Sequence, residues 1–264
     1  MTQVPLLSLK SLVKNFGGIA ATKDISLDVA AGSITAVIGP NGAGKTTLFN
    51  LIAGFYRTDK GRIELDGRDI TNKTPDRIAS LGLIRTFQLV RPFAQMTAFE
   101  NVLVGFHLQT RGDLLSAIIR PGWLKQQERD IREKAAQLLD VVGLGALKDM
   151  PALNLTYGQQ RLLEIARALA AKPLLLMLDE PAAGLTAPET VHLAHLIKTI
   201  RDQGLSILLI EHDIELVMEI ADTVCVLDFG RRIACGTPAQ VKKDPAVIDA
   251  YLGPSLTKEN LANV

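Results

Sequence analysis

A glycine-rich segment at residues 39–47 carries the residue types of a phosphate-binding loop. It lies between an apolar run and a helical pattern, and it reads Gly39, Pro40, Asn41, Gly42, Ala43, Gly44, Lys45, Thr46 and Thr47. Glycines let backbone N–H groups converge on an anion, and a following helix N-terminus attracts negative charge. In this pattern the lysine contacts the β- and γ-phosphates and the threonine hydroxyl ligates Mg²⁺. The segment, called the phosphate loop below, predicts a nucleoside triphosphate site; an unliganded glycine-rich turn is the alternative.

Two acidic residues follow a predicted buried strand. Residues 174–178 are all apolar, and Asp179 and Glu180 come directly after them, ahead of Pro181. Acids at the end of a buried strand are costly unless they serve a cation. We expect Asp179 to hold Mg²⁺ and Glu180 to polarise the water that attacks the γ-phosphate. The alternative is that both acids cap the next helix.

A third segment opens a helical pattern just ahead of the acid-bearing strand. It reads Leu155, Thr156, Tyr157, Gly158, Gln159, Gln160 and Arg161. Thr156 and Gln159 stand three positions apart, which also fits a plain capping box. The segment alone therefore leaves a structural and a functional interpretation open.

Composition limits the function classes. The chain has 264 residues with 47% hydrophobic and 22% charged, which is ordinary for a globular protein with a sizeable core. Its formal net charge of +1 gives no bulk field for nucleic acid or an anionic membrane surface. We expect Cys225 and Cys235 to be reduced, half-buried strand residues. No signal peptide and no run of 18 apolar residues is visible, so we expect any membrane role to come through a partner.

The elements that must position these residues are predicted from periodicity. Alternating patterns predict N-terminal strands, while the apolar runs at 174–178 and 206–210 favour a central parallel sheet. From about residue 90 to 170 helical spacing takes over, with Ile131, Ala135, Leu138 and Val142 on one face. A hairpin pattern follows, turning at residues 229–230. These patterns predict an α/β core with a helical insertion.

The order of the motifs resembles that of the ATP-binding subunits of ABC transporters. Along the chain it runs from the phosphate loop through Gln88, Thr156–Gln159 and Glu180 to His212. The resemblance covers almost the whole chain and implies a P-loop NTPase core with an N-terminal antiparallel β-subdomain. It also implies one domain over residues 1–253, a helical subdomain inserted at about 90–170, and a tail at 254–264.

The resemblance implies ATP and Mg²⁺ bound between two chains that pair head to tail. Each phosphate loop would face the partner's signature segment, here Thr156, Tyr157, Gly158 and Gln159, with Thr186 beside it. Family members usually have Ser-Gly-Gly in the signature; this chain keeps a hydroxyl and a glycine at the matching positions. Where the family usually has Asp this chain has Thr186, so the cross-dimer contact from that position is left open.

Individual site residues follow from the same resemblance. Phe16 would stack on adenine, Gln88 would join Thr46 and Asp179 around Mg²⁺, and His212 would assist Glu180 in catalysis at the γ-phosphate. The alternatives are a core phenylalanine, an exposed polar residue and a structural histidine. His192 and His195 share one helix face, and we expect them to be solvated.

Finer motifs are similar to those of branched-chain amino acid importers. They are residues 156–161, 181–185, 211–213 and 227–230, with a long insertion at 107–129 and an ending at 250–253. This similarity implies a peripheral subunit on the cytoplasmic face of the inner membrane. Its partners would be a related second ATP-binding subunit, two transmembrane permease subunits and, indirectly, a solute-binding protein. Residues 89–105 would receive a membrane helix through exposed Phe93, Met96 and Phe99.

Two other functions remain as alternatives. One is the ATPase of a lipopolysaccharide-type exporter, against which the long insertion and Tyr157 argue. The other is a soluble ABC protein of translation or DNA repair. Such proteins usually carry two cassettes or a long coiled-coil insertion, and neither pattern occurs in these 264 residues. The near-neutral charge also gives no nucleic-acid footprint.

Overall fold

The computed structural model describes residues 4–86, 92–109 and 122–252. Ten strands lie in these ranges: β1 Leu7–Phe16, β2 Ile19–Val29, β3 Ile34–Ile38, β4 Lys60–Leu65, β5 Arg68–Asp69, β6 Leu83–Arg85, β7 Leu175–Asp179, β8 Ser206–Ile210, β9 Thr223–Asp228 and β10 Arg231–Gly236. The α-helices in the same ranges are α1 Lys45–Ile52, α2 Pro75–Ser80, α3 Ala98–Gly105, α4 Gly122–Val141, α5 Tyr157–Ala170, α6 Ala187–Asp202, α7 Ile214–Ile220, α8 Pro238–Val241 and α9 Pro245–Leu252. Among these helices, none combines the length and apolarity needed to cross a membrane.

The larger sheet has the strand order β10-β9-β3-β8-β7-β6. Its strands pair in parallel except for β10, which runs antiparallel to β9. The carboxyl ends of β3, β7 and β8 therefore meet at one edge, where ligands bind in open α/β sheets. The sequence places the phosphate loop, the two acids and His212 directly after these three strands.

Every residue of β3, β7 and β8 is buried, as continuous apolar runs predict for strands covered on both faces. Successive side chains of β7 enter different cores: Leu176 and Leu178 pack in one, Leu175 and Met177 in the other. The sheet is thus the shared wall of two hydrophobic cores. This packing fixes the strand ends that carry the acids.

The smaller sheet is antiparallel, with the order β2-β1-β4-β5. Its inward side chains, among them Leu9, Leu27 and Ile63, share a core with Leu48 and Phe49 of α1 and with one face of the larger sheet. On the other face, α3, α4 and α5 contribute Val102, Ala135, Leu139 and Ala166 to the second core. The helix face predicted from spacing is confirmed, since Ala135 and Val142 are fully buried and Ile131 and Leu138 pack against them. The predicted fold class is confirmed.

The expectation of reduced, half-buried cysteines is wrong. Cys225 on β9 and Cys235 on β10 are direct register partners, with their Cα atoms 4.1 Å apart, and they form a disulfide. Cys225 is fully buried and Cys235 is exposed. The pair could not be recognised from the sequence alone. The two cysteines are ten residues apart, and they come opposite each other only because the register shifts between Arg232 and Ala234.

Candidate nucleotide-binding site

The phosphate loop joins β3 to α1 through two glycines that no other residue could replace without movement. Gly39 has φ +151°, and a Cβ there would overlap the carbonyl oxygen of Leu227 on β9. Gly44 has φ +99°, and a Cβ there would lie 2.5 Å from the carbonyl oxygen of Ala21 on β2. The loop is therefore closed tightly between its two neighbouring strands. Its backbone can approach an anion closely because no side chain intervenes at these positions.

The loop ends as the N-cap of α1. Gly44 occupies the cap and, being glycine, offers no side-chain oxygen to the first helical N–H groups. Those N–H groups have no carbonyl partner within the helix, so a helix that begins this way favours an anion. The strand-to-helix context predicted for the phosphate loop is present.

Lys45 is folded back on the loop. Its Nζ donates hydrogen bonds to the carbonyl oxygens of Gly39 at 2.6 Å and Pro40 at 3.0 Å. Burial lowers the pKa of Lys45, and the nearby Glu180 carboxylate opposes that shift. A long side chain that bridges two loop carbonyls places a positive charge inside the phosphate cradle.

Asp179 has one satisfied and one unsatisfied oxygen. Its Oδ2 accepts a hydrogen bond of 2.6 Å from Nη2 of Arg85, whose Nη1 donates to Asn50 Oδ1 on α1 at 2.6 Å. Its Oδ1 is buried and has no hydrogen-bond partner among the described residues. Buried polar atoms are rarely left unpaired. Hard oxygen donors of this kind suit Mg²⁺, and Thr46 lines the same groove as Asp179.

Glu180 and His212 approach each other across the ends of β7 and β8. The Nε2 of His212 lies 2.9 Å from Oε1 of Glu180, and the Glu180 backbone has φ +48°. The backbone N–H of Glu180 donates to the carbonyl oxygen of Ile210 on β8 at 3.0 Å. This left-handed backbone turns the carboxylate out of the strand direction, towards the histidine.

Glu211 positions the backbone on both sides of the Glu180–His212 pair. Its buried carboxylate accepts hydrogen bonds from the backbone N–H groups of Ala182 at 2.7 Å and His212 at 3.0 Å. Burial raises the pKa of Glu211, and these hydrogen bonds partly offset that shift. Glu211 was expected only as part of a motif, although an acid directly after an apolar strand is a sequence signal for such a role.

A pocket of about 400 Å³ collects most of the predicted nucleotide residues. Its lining includes Asn41, Gly42, Ala43, Gly44, Lys45, Thr46, Thr47, Glu180 and His212. The pocket is also lined by Phe229 and by four residues of β2 (Ile19, Ala20, Ala21 and Lys23), none of which was predicted from the sequence to belong to the site. Gln88 lies outside the described residues.

Phe16 stands next to this pocket rather than in its lining. Its ring is 44% exposed and meets the ring of Tyr56 edge-on, with centroids 5.2 Å apart. The Nζ of Lys14 lies 5.4 Å from the centre of the Phe16 ring. Phe16 is the register partner of Ile19, which does line the pocket. The exposed ring excludes the alternative of a core phenylalanine.

The signature segment forms the capping box that was its structural alternative. Thr156 Oγ1 accepts from the Gln159 N–H at 3.3 Å, and Gln159 Oε1 accepts from the Thr156 N–H at 3.0 Å. Tyr157 is 45% exposed, with the Arg161 guanidinium 5.5 Å from its ring centre. Residues 156–159 are not among those that line the pocket of their own chain. A cap and a nucleotide contact are compatible, because capping leaves the other terminal N–H groups available.

Thr186 caps α6 beside the signature segment. Its N–H and Oγ1 donate to Glu189 Oε2 at 2.8 Å and 2.7 Å. A Cβ added to Gly158 would overlap this same Glu189 carboxylate, and one added to Gly184 would lie 3.2 Å from the Tyr157 ring. The segments 157–158 and 184–186 therefore lie against each other.

A second and larger groove, of about 760 Å³, separates the sheet from the helical insertion. Thr46, Arg85 and Asp179 line one side, and Phe93, His107 and Arg167 line the other. Phe93 is 48% and Met96 39% exposed, as predicted, but the expectation for Phe99 is wrong. Phe99 is half-buried and packs against the core, since it lies on α3 between the fully buried Ala98 and Val102.

The buried Asn101 holds the segment in front of α3 in place. Its Oδ1 accepts from the Phe93 N–H at 2.8 Å and its Nδ2 donates to the Phe93 carbonyl oxygen at 3.1 Å. The Arg167 guanidinium lies 5.6 Å from the centre of the Phe93 ring. Phe93 is thus presented at the groove by a fixed backbone.

Fold and pocket together define a P-loop nucleotide-binding protein, and comparison with known proteins narrows the class. A family model described as "ABC transporter" matches residues 22–183, more than half of the chain. A second model, described as "Branched-chain amino acid ATP-binding cassette transporter", matches residues 231–253. The chain belongs to the ABC transporter family. It is the nucleotide-binding subunit, an ATPase coupled to transport.

Curated relatives resemble the chain over nearly its whole length. The high-affinity branched-chain amino acid transport ATP-binding protein BraF of Pseudomonas aeruginosa is 44% identical over 250 residues, which cover 94% of this chain and 98% of that protein. LivG of Escherichia coli, with the same description, shows the same identity and coverage.

Solved structures agree with the fold. The ADP conformation of MJ1267, an ATP-binding cassette of an ABC transporter, is 34% identical with a TM-score of 0.83 and covers 95% of this chain and 100% of its own. MJ0796, a dimer in a post-hydrolysis state bound to ADP and Pi, is 25% identical with a TM-score of 0.73 and covers 88% of this chain and 98% of its own.

Proposed function

We propose that this chain hydrolyses ATP to drive an importer of branched-chain or related amino acids. The geometric observation that carries the hydrolytic part is that Glu180 and His212, 2.9 Å apart, line the same pocket as the phosphate loop. The solute class is supported by the 44% identity to BraF and LivG and by the match at residues 231–253.

In this proposal the phosphate loop binds the β- and γ-phosphates. The residues of Gly39–Thr47 other than Pro40 supply converging N–H groups, and α1 adds the positive end of its dipole. Lys45 exchanges its two carbonyl hydrogen bonds for phosphate oxygens, as its long side chain allows. Phe16 receives the adenine from the neighbouring hairpin, because its exposed ring offers a stacking face.

The same proposal assigns Mg²⁺ to Thr46 and Asp179, with Gln88 as the third protein ligand. The buried, unpartnered Oδ1 of Asp179 fits a cation, and Thr46 lines the adjoining groove. When bound, the ion would neutralise negative charge on the phosphates. Arg85 orients the Asp179 carboxylate through its 2.6 Å hydrogen bond.

Glu180 then acts as the general base. Its carboxylate stands at the end of β7 beside the phosphate loop, where it accepts a proton from the attacking water. His212, within hydrogen-bonding distance of that carboxylate, orients it and contacts the γ-phosphate. Glu211 holds the backbone of both segments through Ala182 and His212.

The site is completed by a second chain. Residues 156–159 and Thr186 lie outside the lining of the pocket of their own chain, and Gly158 and Thr186 both neighbour Glu189. The dimer bound to ADP and Pi among the structural neighbours supports pairing of two cassettes. Each signature helix would present its N-terminus to the partner's γ-phosphate, so hydrolysis depends on closure. The second cassette is a related paralogue. Thr186 stands where family members usually have the Asp that contacts the partner chain.

The groove beside the helical insertion receives the membrane partner. Phe93 and Met96 offer exposed apolar surface on a segment fixed by Asn101. The chain then works as a peripheral subunit at the cytoplasmic face of the membrane, on two permease subunits served by a solute-binding protein.

Transport by the reconstituted complex tests this proposal. The chain is purified with its membrane subunits and the second ATP-binding subunit and placed in vesicles that are supplied with the solute-binding protein. ATP-driven uptake of leucine is then compared with uptake of glutamate and urea. The proposal predicts leucine uptake that a complex carrying Glu180→Gln lacks. ATP-driven export, or hydrolysis with no amino-acid uptake, would contradict it and favour the exporter alternative.

A further inference from the structure

The turn between β9 and β10 presents an aromatic ring to the nucleotide pocket. Phe229 is 77% exposed and lines the pocket of about 400 Å³ together with residues 41–47. A single exposed apolar side chain needs no explanation by itself. An exposed aromatic ring that borders a phosphate loop does need an explanation, because the base of a bound nucleotide is aromatic and can stack on such a ring.

The backbone at this ring is strained. Phe229 has φ +41° and Gly230 φ +79°, and together they connect the paired residues Asp228 and Arg231. A two-residue hairpin turn with both φ values positive favours Asn-Gly or Asp-Gly. A bulky side chain with positive φ is unfavourable, because its Cβ crowds the following carbonyl oxygen. Turn geometry alone therefore does not account for a phenylalanine here.

Hydrogen bonds fix this turn to both walls of the pocket. The Gly230 N–H donates to the carbonyl oxygen of Ala43 in the phosphate loop at 3.0 Å. The Gly230 carbonyl oxygen accepts from the N–H of Lys23 on β2 at 2.7 Å. Phe229 therefore holds a set position relative to the loop that binds the phosphates.

The strand order decides which end of the nucleotide meets this ring. Glu180 and His212 follow β7 and β8, on one side of β3, whereas Phe229 follows β9, on the other side. The γ-phosphate lies with Glu180 and His212, so the nucleoside extends away from them. Ile19, 75% exposed, lines the same end and is the register partner of Phe16.

We propose that Phe229 is a second aromatic contact for the nucleoside of the bound nucleotide, acting together with Phe16. This assignment rests on the proposed ATP site and adds a residue that selects for an aromatic base. The ring offers a π-face to adenine, and stacking of this kind does not require matching hydrogen bonds.

The test compares ATP with inorganic tripolyphosphate, which has the phosphates and no nucleoside. Phe229→Asn removes the ring and installs a residue that the turn favours, and Phe229→Trp keeps an aromatic face. Dissociation constants come from titration calorimetry of the full chain, and the melting temperature reports on folding. Ile214→Asn, at an exposed apolar position on α7, is the control.

The expected result is roughly 3- to 10-fold weaker ATP binding by Phe229→Asn with unchanged tripolyphosphate binding. Its melting temperature should equal or exceed that of the wild type, since strain is relieved. Phe229→Trp should stay close to the wild type for both ligands.

Three results would overturn the assignment. In the first, Phe229→Asn binds ATP as the wild type does; in the second, it loses affinity for both ligands equally. In the third, it loses only ATP-driven dimerisation, which would mean that the ring contacts the partner chain. A wild-type chain that binds neither ligand would instead refute the proposed ATP site itself.

Discussion

The guanidinium of Arg85 and the carboxylate of Asp179 form a buried ion pair, with Nη2 and Oδ2 2.6 Å apart. The side chains are only 10% and 2% exposed. Arg85 also contacts Asn50 on α1 and lies 5.8 Å and 5.6 Å from the ring centres of Phe49 and Phe55. The pair links Asp179, the proposed Mg²⁺ ligand, to the helix that follows the phosphate loop, at a point that also lines the larger groove.

Removing Arg85 should destabilise the chain because it leaves a buried, uncompensated carboxylate. Arg85→Gln is expected to lower the free energy of unfolding by about 3–5 kcal/mol, and Asp179→Asn in the same chain should restore part of that loss. Urea denaturation of the wild type, both single variants and the double variant measures the coupling. Effects that add to within about 0.5 kcal/mol would show that the two residues are independent.

Lys45 should contribute to nucleotide affinity. Lys45→Ala removes the charge inside the phosphate loop, and we expect roughly 10- to 100-fold weaker ATP binding by calorimetry. Lys10→Ala, at a lysine that pairs with Glu64 on the surface, is the matched control and should bind ATP normally. Unchanged affinity in Lys45→Ala would remove the lysine from the site.

Glu211 should give stability a specific pH dependence. Burial raises its pKa above the ordinary value of 4.5, so the folded chain holds this proton more tightly than the unfolded chain does. The resulting stabilisation is fully present below pH 4.5 and is lost as the pH rises through the raised pKa. The free energy of unfolding of the wild type, relative to Glu211→Gln, should therefore fall as the pH rises above 4.5. A difference that rises or stays constant would contradict this account.

Charges placed in the larger groove, at Phe93, or on the same segment, at Met96, should block assembly with the membrane subunits. Phe93→Asp and Met96→Asp put carboxylates on the exposed apolar surface that the proposed docking requires. Val191→Asp, at an apolar position on α6 that is 67% exposed, is the control. Co-purification with the membrane subunits should fail only for the first two variants; normal assembly of all three would show that docking occurs elsewhere.

The sequence predicted the parts of this site that depend on local pattern. Residues 174–178 and 206–210 are apolar throughout, which indicated parallel strands, and their ends brought Glu180 and His212 to the phosphate loop. Arg85 could not be assigned in this way, because β6 has only three residues and gives little pattern. The ion pair of Arg85 with Asp179 forms because β6 lies beside β7 in the sheet. Strand register could not be predicted from the sequence either. It sets Cys225 opposite Cys235 and Ile19 opposite Phe16.

The assignment of Glu180 as the base is the centre of this account, and Glu180→Gln tests it most directly. Glutamine keeps the shape of the side chain and its contact with His212 but accepts no proton. The account predicts that this variant binds ATP like the wild type and hydrolyses it at least about 100-fold more slowly, so that a dimer persists with ATP. Glu219→Gln, at an exposed acid paired with Lys198, should hydrolyse ATP normally. Wild-type hydrolysis by Glu180→Gln would contradict the account.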